Sequence, residues 1–120
     1  MKRLILIFFA LFGFSIPSSA LADEEGKTEH LLKNCLSDDP MRRDIFCGGY
    51  ITGFTQGVQV ATAVTPNKKV CLPDVFSGTD GRDAFIRFMS NHKDRKFLDD
   101  DPQVNLWMAF TTAYPCKKSK

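Results

Sequence analysis

The sequence lacks the short motifs that accompany most hydrolytic and nucleotide-dependent enzymes. It contains no G-x-S-x-G nucleophile motif, no H-E-x-x-H zinc motif and no glycine-rich phosphate-binding loop. Only two histidines could serve as a general base: His30 falls in a short polar stretch and His92 in a charged connection. We therefore predict that the protein is not an enzyme.

Acidic clusters occur at residues 38–39 and 99–101, but each directly precedes a proline and a predicted helix. Carboxylates at that position stabilise the free N–H groups of a helix start, so capping explains them better than acid–base catalysis. A calcium site at residues 99–101 would lack the alternating ligands and the glycine of an EF-hand loop. We expect neither a metal nor a cofactor.

The sequence also lacks a large excess of one charge. It has 16 basic and 14 acidic residues, and Lys2 and Arg3 alone account for the basic excess. A nucleic-acid-binding protein would be expected to carry a basic excess that neutralises phosphates. We therefore expect no nucleic-acid partner.

One apolar run, residues 4–16, follows the positive start and is too short to span a membrane, which takes about 20 apolar residues. Residues 20–22, Ala-Leu-Ala, form a cleavage site of the A-x-A type. These features predict a cleaved signal peptide over residues 1–22. Residues 23–120 would then form a single periplasmic domain that is not attached to the membrane.

The four cysteines all lie after the predicted cleavage site, without the close C-x2-C pairs of zinc sites or thiol oxidoreductases. An even number of cysteines in a small exported domain predicts two disulfides, and three pairings are possible. We favour Cys35–Cys47, which would join the first two helices, and Cys71–Cys116, which would tie the central linker to the C-terminal end.

Apolar residues recur at helical spacing in four stretches, separated by turns rich in Pro, Asp and Gly. The predicted helices cover about residues 27–34, 40–63, 82–91 and 102–113. The second begins at Asp39-Pro40, a capping carboxylate followed by a proline in the first turn. The fold class is therefore all-α, a small disulfide-stapled bundle of about four helices.

Three glycines, Gly49, Gly53 and Gly57, recur at four-residue spacing within the second predicted helix. Each costs about 1 kcal/mol relative to alanine in a helix, so another backbone is expected to approach this stripe closely. We favour close helix packing inside the monomer, with the seam of a dimer as the alternative.

The connection at residues 91–101 combines many charges with two apolar side chains. It is either a solvated turn or a protruding binding loop, since loops on a rigid scaffold commonly carry recognition. In the second case its apolar residues would anchor a partner and its charges would orient it. The candidate binding residues are Lys93, Asp94, Arg95, Lys96, Phe97, Leu98, Asp99, Asp100 and Asp101.

Four segments in order resemble the Rap/Tai immunity proteins of bacterial type VI secretion systems: Cys35, the CGGYITGF stretch of residues 47–54, Cys71-Leu72-Pro73, and Tyr114-Pro115-Cys116. The resemblance implies a helical, periplasmic and commonly dimeric protein. It further implies that the protein binds and inhibits a peptidoglycan amidase, a cysteine–histidine hydrolase, through a loop that fills the active-site groove. Rival interpretations are a small periplasmic acid-stress chaperone and an envelope protein that binds no toxin.

Overall fold

The structure is a computed structural model and describes residues 26–117. Helices form most of this part of the chain. The predicted signal peptide, residues 1–22, lies outside this part. A π-helical segment, Met41–Cys47, runs directly into α2. The five α-helices are α1 (Thr28–Cys35), α2 (Gly48–Val64), α3 (Gly78–Ser90), α4 (Arg95–Asp99) and α5 (Pro102–Ala113). The prediction of an all-α fold is confirmed, and the one β pairing among the described residues is an isolated bridge between Val70 and Pro115.

The helix starts follow from local chemistry. Asp39 Oδ1 accepts the Met41 N–H at 2.9 Å, as expected for an Asp-Pro start. The third predicted helix begins four residues earlier than expected, at Gly78, because Ser77 and Asp80 form a reciprocal capping box. The connection at residues 91–101 is not irregular throughout, because it contains the short helix α4.

Both favoured disulfides are present. Cys35–Cys47 joins α1 to the helix that follows it, with 5.0 Å between the Cα atoms. Cys71–Cys116 ties the α2–α3 linker to the C-terminal end, with 4.9 Å between the Cα atoms. Loops of these lengths correspond to about 3 and 4 kcal/mol of stabilisation through the unfolded state. The free energy of unfolding of a domain is typically only about 5–15 kcal/mol, so the two crosslinks supply a large part of the net stability.

The core lies where α2, α3 and α5 meet. Its largest side chains are fully buried, among them Ile51, Phe85, Leu106 and Phe110. Phe54 packs edge-on against Phe110, with 5.5 Å between ring centroids. This core leaves the α3–α5 connection, residues 91–101, at one end of the bundle.

Close approach of helices depends on a different glycine from those predicted. A Cβ at Gly81 of α3 would lie 2.6 Å from Ile51 Cγ2 of α2 and 3.3 Å from Phe110 Cζ. By contrast, a Cβ at Gly49, Gly53 or Gly57 would meet nothing within 4 Å. The preferred explanation of the glycine stripe, packing inside the monomer, is therefore wrong for the described residues, because the stripe faces away from the core.

Candidate binding surfaces

Residues 91–101, here called the charged segment, pack against the bundle over part of their length. The His92 ring stacks on Phe88 of α3, with 4.1 Å between ring centroids. His92 Nδ1 also lies 2.8 Å from the Phe88 carbonyl oxygen. Helix α4 follows and leads directly into α5. The segment is thus a structured surface element and not an open loop.

The two apolar residues of the charged segment point towards the core. Phe97 and Leu98 are only partly exposed and pack against the buried cluster. The Phe97 ring lies edge-on to His92, with 4.9 Å between centroids, and to Phe88, at 6.2 Å. This geometry corrects the expectation that these two side chains are free anchors, because their contacts are made within the chain.

The outer side of the charged segment carries its charges. Basic side chains predominate in its first half and acidic ones at its end, where the backbone enters α5. Within the segment, Asp100 is half-buried. The exposed charged residues are Lys93, Asp94, Arg95, Lys96, Asp99 and Asp101.

Arg95 forms ion pairs with two acidic residues. Its guanidinium donates to Glu29 of α1, at 3.1 Å, and to Asp99 one turn further along α4. These hydrogen bonds raise the pKa of Arg95 above its ordinary value, and the bond to Glu29 has the largest effect. Exposed ion pairs contribute little to stability, so this network orients the segment more than it stabilises the fold.

A buried polar pair lies beneath the charged segment. Thr28 and Asn105 are both 0% exposed. Asn105 Nδ2 donates to the Phe97 carbonyl oxygen at 2.7 Å and to Thr28 Oγ1 at 2.8 Å. Thr28 in turn donates to the Asp100 carbonyl oxygen, from Oγ1 at 2.8 Å and from its backbone N–H at 3.0 Å. Two carbonyl groups of the segment are therefore held from α1 and α5.

A second candidate surface is the side of α2 that faces away from the core. Helix α2 contains no charged residue. Val60 and Val64 on this side are 67% and 79% exposed. We define the α2 outer face by its exposed residues Gly49, Gly53, Gln56, Gly57, Val60 and Val64. Exposed apolar side chains on a helix without charges are typical of an interaction surface, so this face has the composition of an interface.

An open cleft of about 710 Å³ borders the α2 outer face. It runs between the start of α2 and the start of α3, and Gly49, Gly53 and Thr52 line it on the α2 side. At its edge Asp44 accepts hydrogen bonds from Arg43 at 2.8 and 3.0 Å. These bonds, together with the nearby Arg82, lower the pKa of the Asp44 carboxyl.

The family model of the Rap1a immunity proteins matches residues 27–116. The chain belongs to this family. The match spans both disulfides, the charged segment and the α2 outer face. Searches of curated proteins and of solved structures gave no match.

Membership in the Rap1a family implies that this chain binds a partner effector protein. The described residues of this Rap1a protein include no cluster of three or more His, Cys, Asp or Glu that could hold a metal ion. All four cysteines are in disulfides. Among residues 26–117, no helix is both long and apolar enough to cross a membrane.

Sequence reasoning missed the residues that hold the charged segment in this Rap1a protein. Thr28 and Asn105 contact each other although they lie 77 positions apart. The one signal was Asn105 itself, a polar residue on the same side of the helix as Leu106 and Ala109. A buried polar residue at such a position normally has hydrogen-bond partners, but the sequence does not identify them.

Proposed function

We propose that this protein is a periplasmic immunity protein that binds and inhibits a peptidoglycan amidase effector of a type VI secretion system. The observation that carries the proposal is the Rap1a family match over residues 27–116. Inhibition would occur by occupancy: the protein would cover the groove of the amidase without transforming a substrate.

The disulfides support the periplasmic location. Disulfides persist in oxidising compartments such as the bacterial periplasm and are rare in the cytosol. Together Cys35–Cys47 and Cys71–Cys116 involve every cysteine of the chain. With the predicted signal peptide, this pattern favours export of the chain to the compartment in which peptidoglycan amidases act.

The same disulfides support a non-enzymatic role. A thiol nucleophile must be free to ionise, and none of the four sulfur atoms is free. His92 stacks on Phe88 and so lies within the bundle surface, while His30 is exposed on α1. We therefore place the function in binding alone.

We assign effector binding to the outer side of the charged segment. Arg95, Lys96 and Asp99 lie on the short helix α4, and the other exposed charges flank it. Hydrogen bonds from two other helices hold the segment, so a partner would meet a preformed surface. Lys93 and Lys96 make no ion pair with any described residue and are therefore available to a partner. Complementary charges increase the association rate and set orientation.

We also propose that the protein forms a homodimer through the α2 outer face. Two copies of this uncharged face are compatible with each other, as a two-fold interface requires. The glycines would allow the two α2 backbones to approach closely, and Val60 and Val64 would lose their exposure to water. Burial of such apolar surface is the main driving force of association.

The function is tested by co-purifying the mature protein with candidate amidases from the same genome and by assaying peptidoglycan hydrolysis. We expect the wild type to capture and inhibit one amidase. In a K93E/K96E double variant we expect its affinity to fall at least about tenfold, roughly 1.4 kcal/mol, because two cations of the interface are reversed.

The matched control is K68E/K69E, which changes the net charge equally at two exposed lysines of the α2–α3 linker. It should bind as the wild type does. Absence of any amidase inhibited by the wild type would contradict the proposed function. Equal affinity of K93E/K96E and the wild type for the amidase would show that the charged segment is not part of the interface.

A further inference from the structure

The conformation of the charged segment depends on hydrogen bonds from outside it. Helix α4 has only 5 residues, Arg95–Asp99. An isolated helix of that length is not stable in water, because forming the first turn fixes several residues for one hydrogen bond. Packing and partners from the rest of the bundle must therefore determine its shape.

The pair Thr28–Asn105 supplies those partners at the end of α4. The last carbonyl groups of a helix have no partner within it. Phe97 lies in this last turn, and its carbonyl oxygen accepts from Asn105 Nδ2 at 2.7 Å. The Asp100 carbonyl oxygen, just beyond the helix, accepts from Thr28 Oγ1 at 2.8 Å. The pair thus caps α4 and fixes the turn into α5.

The core itself does not require this polar pair. Asn105 Oδ1 is buried and receives no hydrogen bond from residues 26–117. A buried unpaired oxygen is unfavourable, whereas a leucine of similar size would fill the space without one. The opposite orientation of the amide would set Oδ1 against the Phe97 carbonyl oxygen, so Nδ2 must face that carbonyl, and its second N–H is donated to Thr28 Oγ1.

We infer that Thr28 and Asn105 are positioning residues that hold the charged segment in its binding conformation before the effector arrives. The inference rests on the proposed function in taking the charged segment as the effector-binding surface. A segment ordered in advance loses less conformational entropy on binding, so the affinity is higher for the same contacts.

The first test compares T28V with T28S in the mature chain. Valine has the shape of threonine but no hydroxyl, whereas serine keeps the hydroxyl. Amide hydrogen exchange is followed at Phe97 and Leu98, whose N–H groups donate to the Asp94 carbonyl oxygen at 3.0 and 3.2 Å. We expect exchange about tenfold faster in T28V, the factor that corresponds to about 1.4 kcal/mol, and near the wild-type rate in T28S.

Reference amides outside the segment show in the same samples whether an effect is local. The Cys71 N–H donates to the Tyr114 carbonyl oxygen at 2.9 Å, and the Tyr114 N–H donates to the Phe110 carbonyl oxygen at 2.8 Å, both outside the segment. Equal acceleration at these amides, or no acceleration at Phe97 and Leu98, would overturn the inference. Should T28V fail to fold, N105L replaces it, because leucine fills the space without the two donors.

The second test measures the affinity of each variant for the amidase that co-purifies with the wild type. We expect weaker binding, by about tenfold, in T28V and recovery in T28S. Faster local exchange with unchanged affinity would overturn the inference that the pair holds the segment in its binding conformation. The K93E/K96E variant decides separately whether the segment is the binding surface. The exchange test needs no effector, so its failure is distinguishable from failure of the proposed function.

Discussion

At the scale of single residues, the glycines show how differently identical residues can act in one chain. Gly81 lies where α2 and α5 press against α3, and the space for a methyl group is already occupied by Ile51 and Phe110. Gly57 lies on the α2 outer face with open space around it. Neither adopts a positive φ, so alanine is strained at neither position by the backbone.

Alanine is therefore expected to have opposite effects at the two glycines. G81A should lower the free energy of unfolding by about 1 kcal/mol or more, because the free-energy cost of overpacking the core exceeds the gain from the higher helix propensity of alanine. G57A should raise it by about 0.5–1 kcal/mol, because alanine loses less backbone entropy in a helix. Urea unfolding at low protein concentration measures both, and a G81A variant as stable as the wild type would contradict the proposed close packing.

At the scale of elements, α3 starts where its capping box places it. Asp80 accepts from the Ser77 N–H at 2.8 Å and from Ser77 Oγ at 2.6 Å, while its own N–H donates to Ser77 Oγ at 3.2 Å. The hydrogen bonds from the Ser77 side chain and backbone lower the pKa of the Asp80 carboxyl. The negative charge also suits the N-terminal end of the helix dipole.

This pKa shift makes the stability of α3 depend on pH. Because the pKa of Asp80 is lower in the folded state than in the unfolded chain, its contribution is present above about pH 4 and is lost as the pH falls through the folded-state pKa. The D80N variant should therefore lose less stability between neutral and acid pH than the wild type. Unfolding by urea at a series of pH values measures this difference.

The control is D74N, which removes a charge from an exposed residue in the linker before α3. It leaves the hydrogen bonds between Ser77 and Asp80 intact. A D80N variant with the same pH profile as the wild type would show that the capping box contributes no pH dependence.

At the scale of the whole molecule, two surfaces differ in chemistry: the charged segment and the uncharged α2 outer face. The exposed large apolar side chains concentrate on the helix that runs from Met41 to Val64. Such a surface on a small protein indicates association. The charged segment is a separate surface with a different chemistry, so the proposed dimer and the proposed effector complex would use different surfaces.

The proposed dimer predicts that G53L shifts the protein towards monomer, since leucine would prevent the two α2 backbones from approaching. Sedimentation equilibrium over a range of concentrations gives the dimer dissociation constant, which we expect to rise at least about tenfold. The matched control is Q59L, which places the same side chain on α2 outside the outer face. A wild type that stays monomeric at high concentration, or a G53L variant that dimerises as the wild type does, would contradict a dimer interface at the α2 outer face.

Much of the helical architecture follows from the amino-acid sequence by itself. The start at Asp39-Pro40 and the bounds of α5 depend on residues within about a dozen positions of each other, so local periodicity and capping chemistry are sufficient. The cysteine pairing is not determined in this way, because the sequence allowed three pairings and only the structure shows Cys35–Cys47 and Cys71–Cys116. The early start of α3 was missed, although the Ser-x-x-Asp spacing of its capping box is present in the sequence.

Contacts between distant parts of the chain decided the rest. The four-residue spacing of the glycine stripe suggested close packing, whereas Gly81 lies before the third predicted helix and gave no such signal. Only the packing of α2, α3 and α5 shows that the stripe is open and that Gly81 is crowded. Likewise, Phe97 faces inward because Phe88 and His92 lie beneath it. Thr28 meets Asn105 across 77 positions, and burial removes water as an alternative partner, so their hydrogen bonds exist only once the chain has folded.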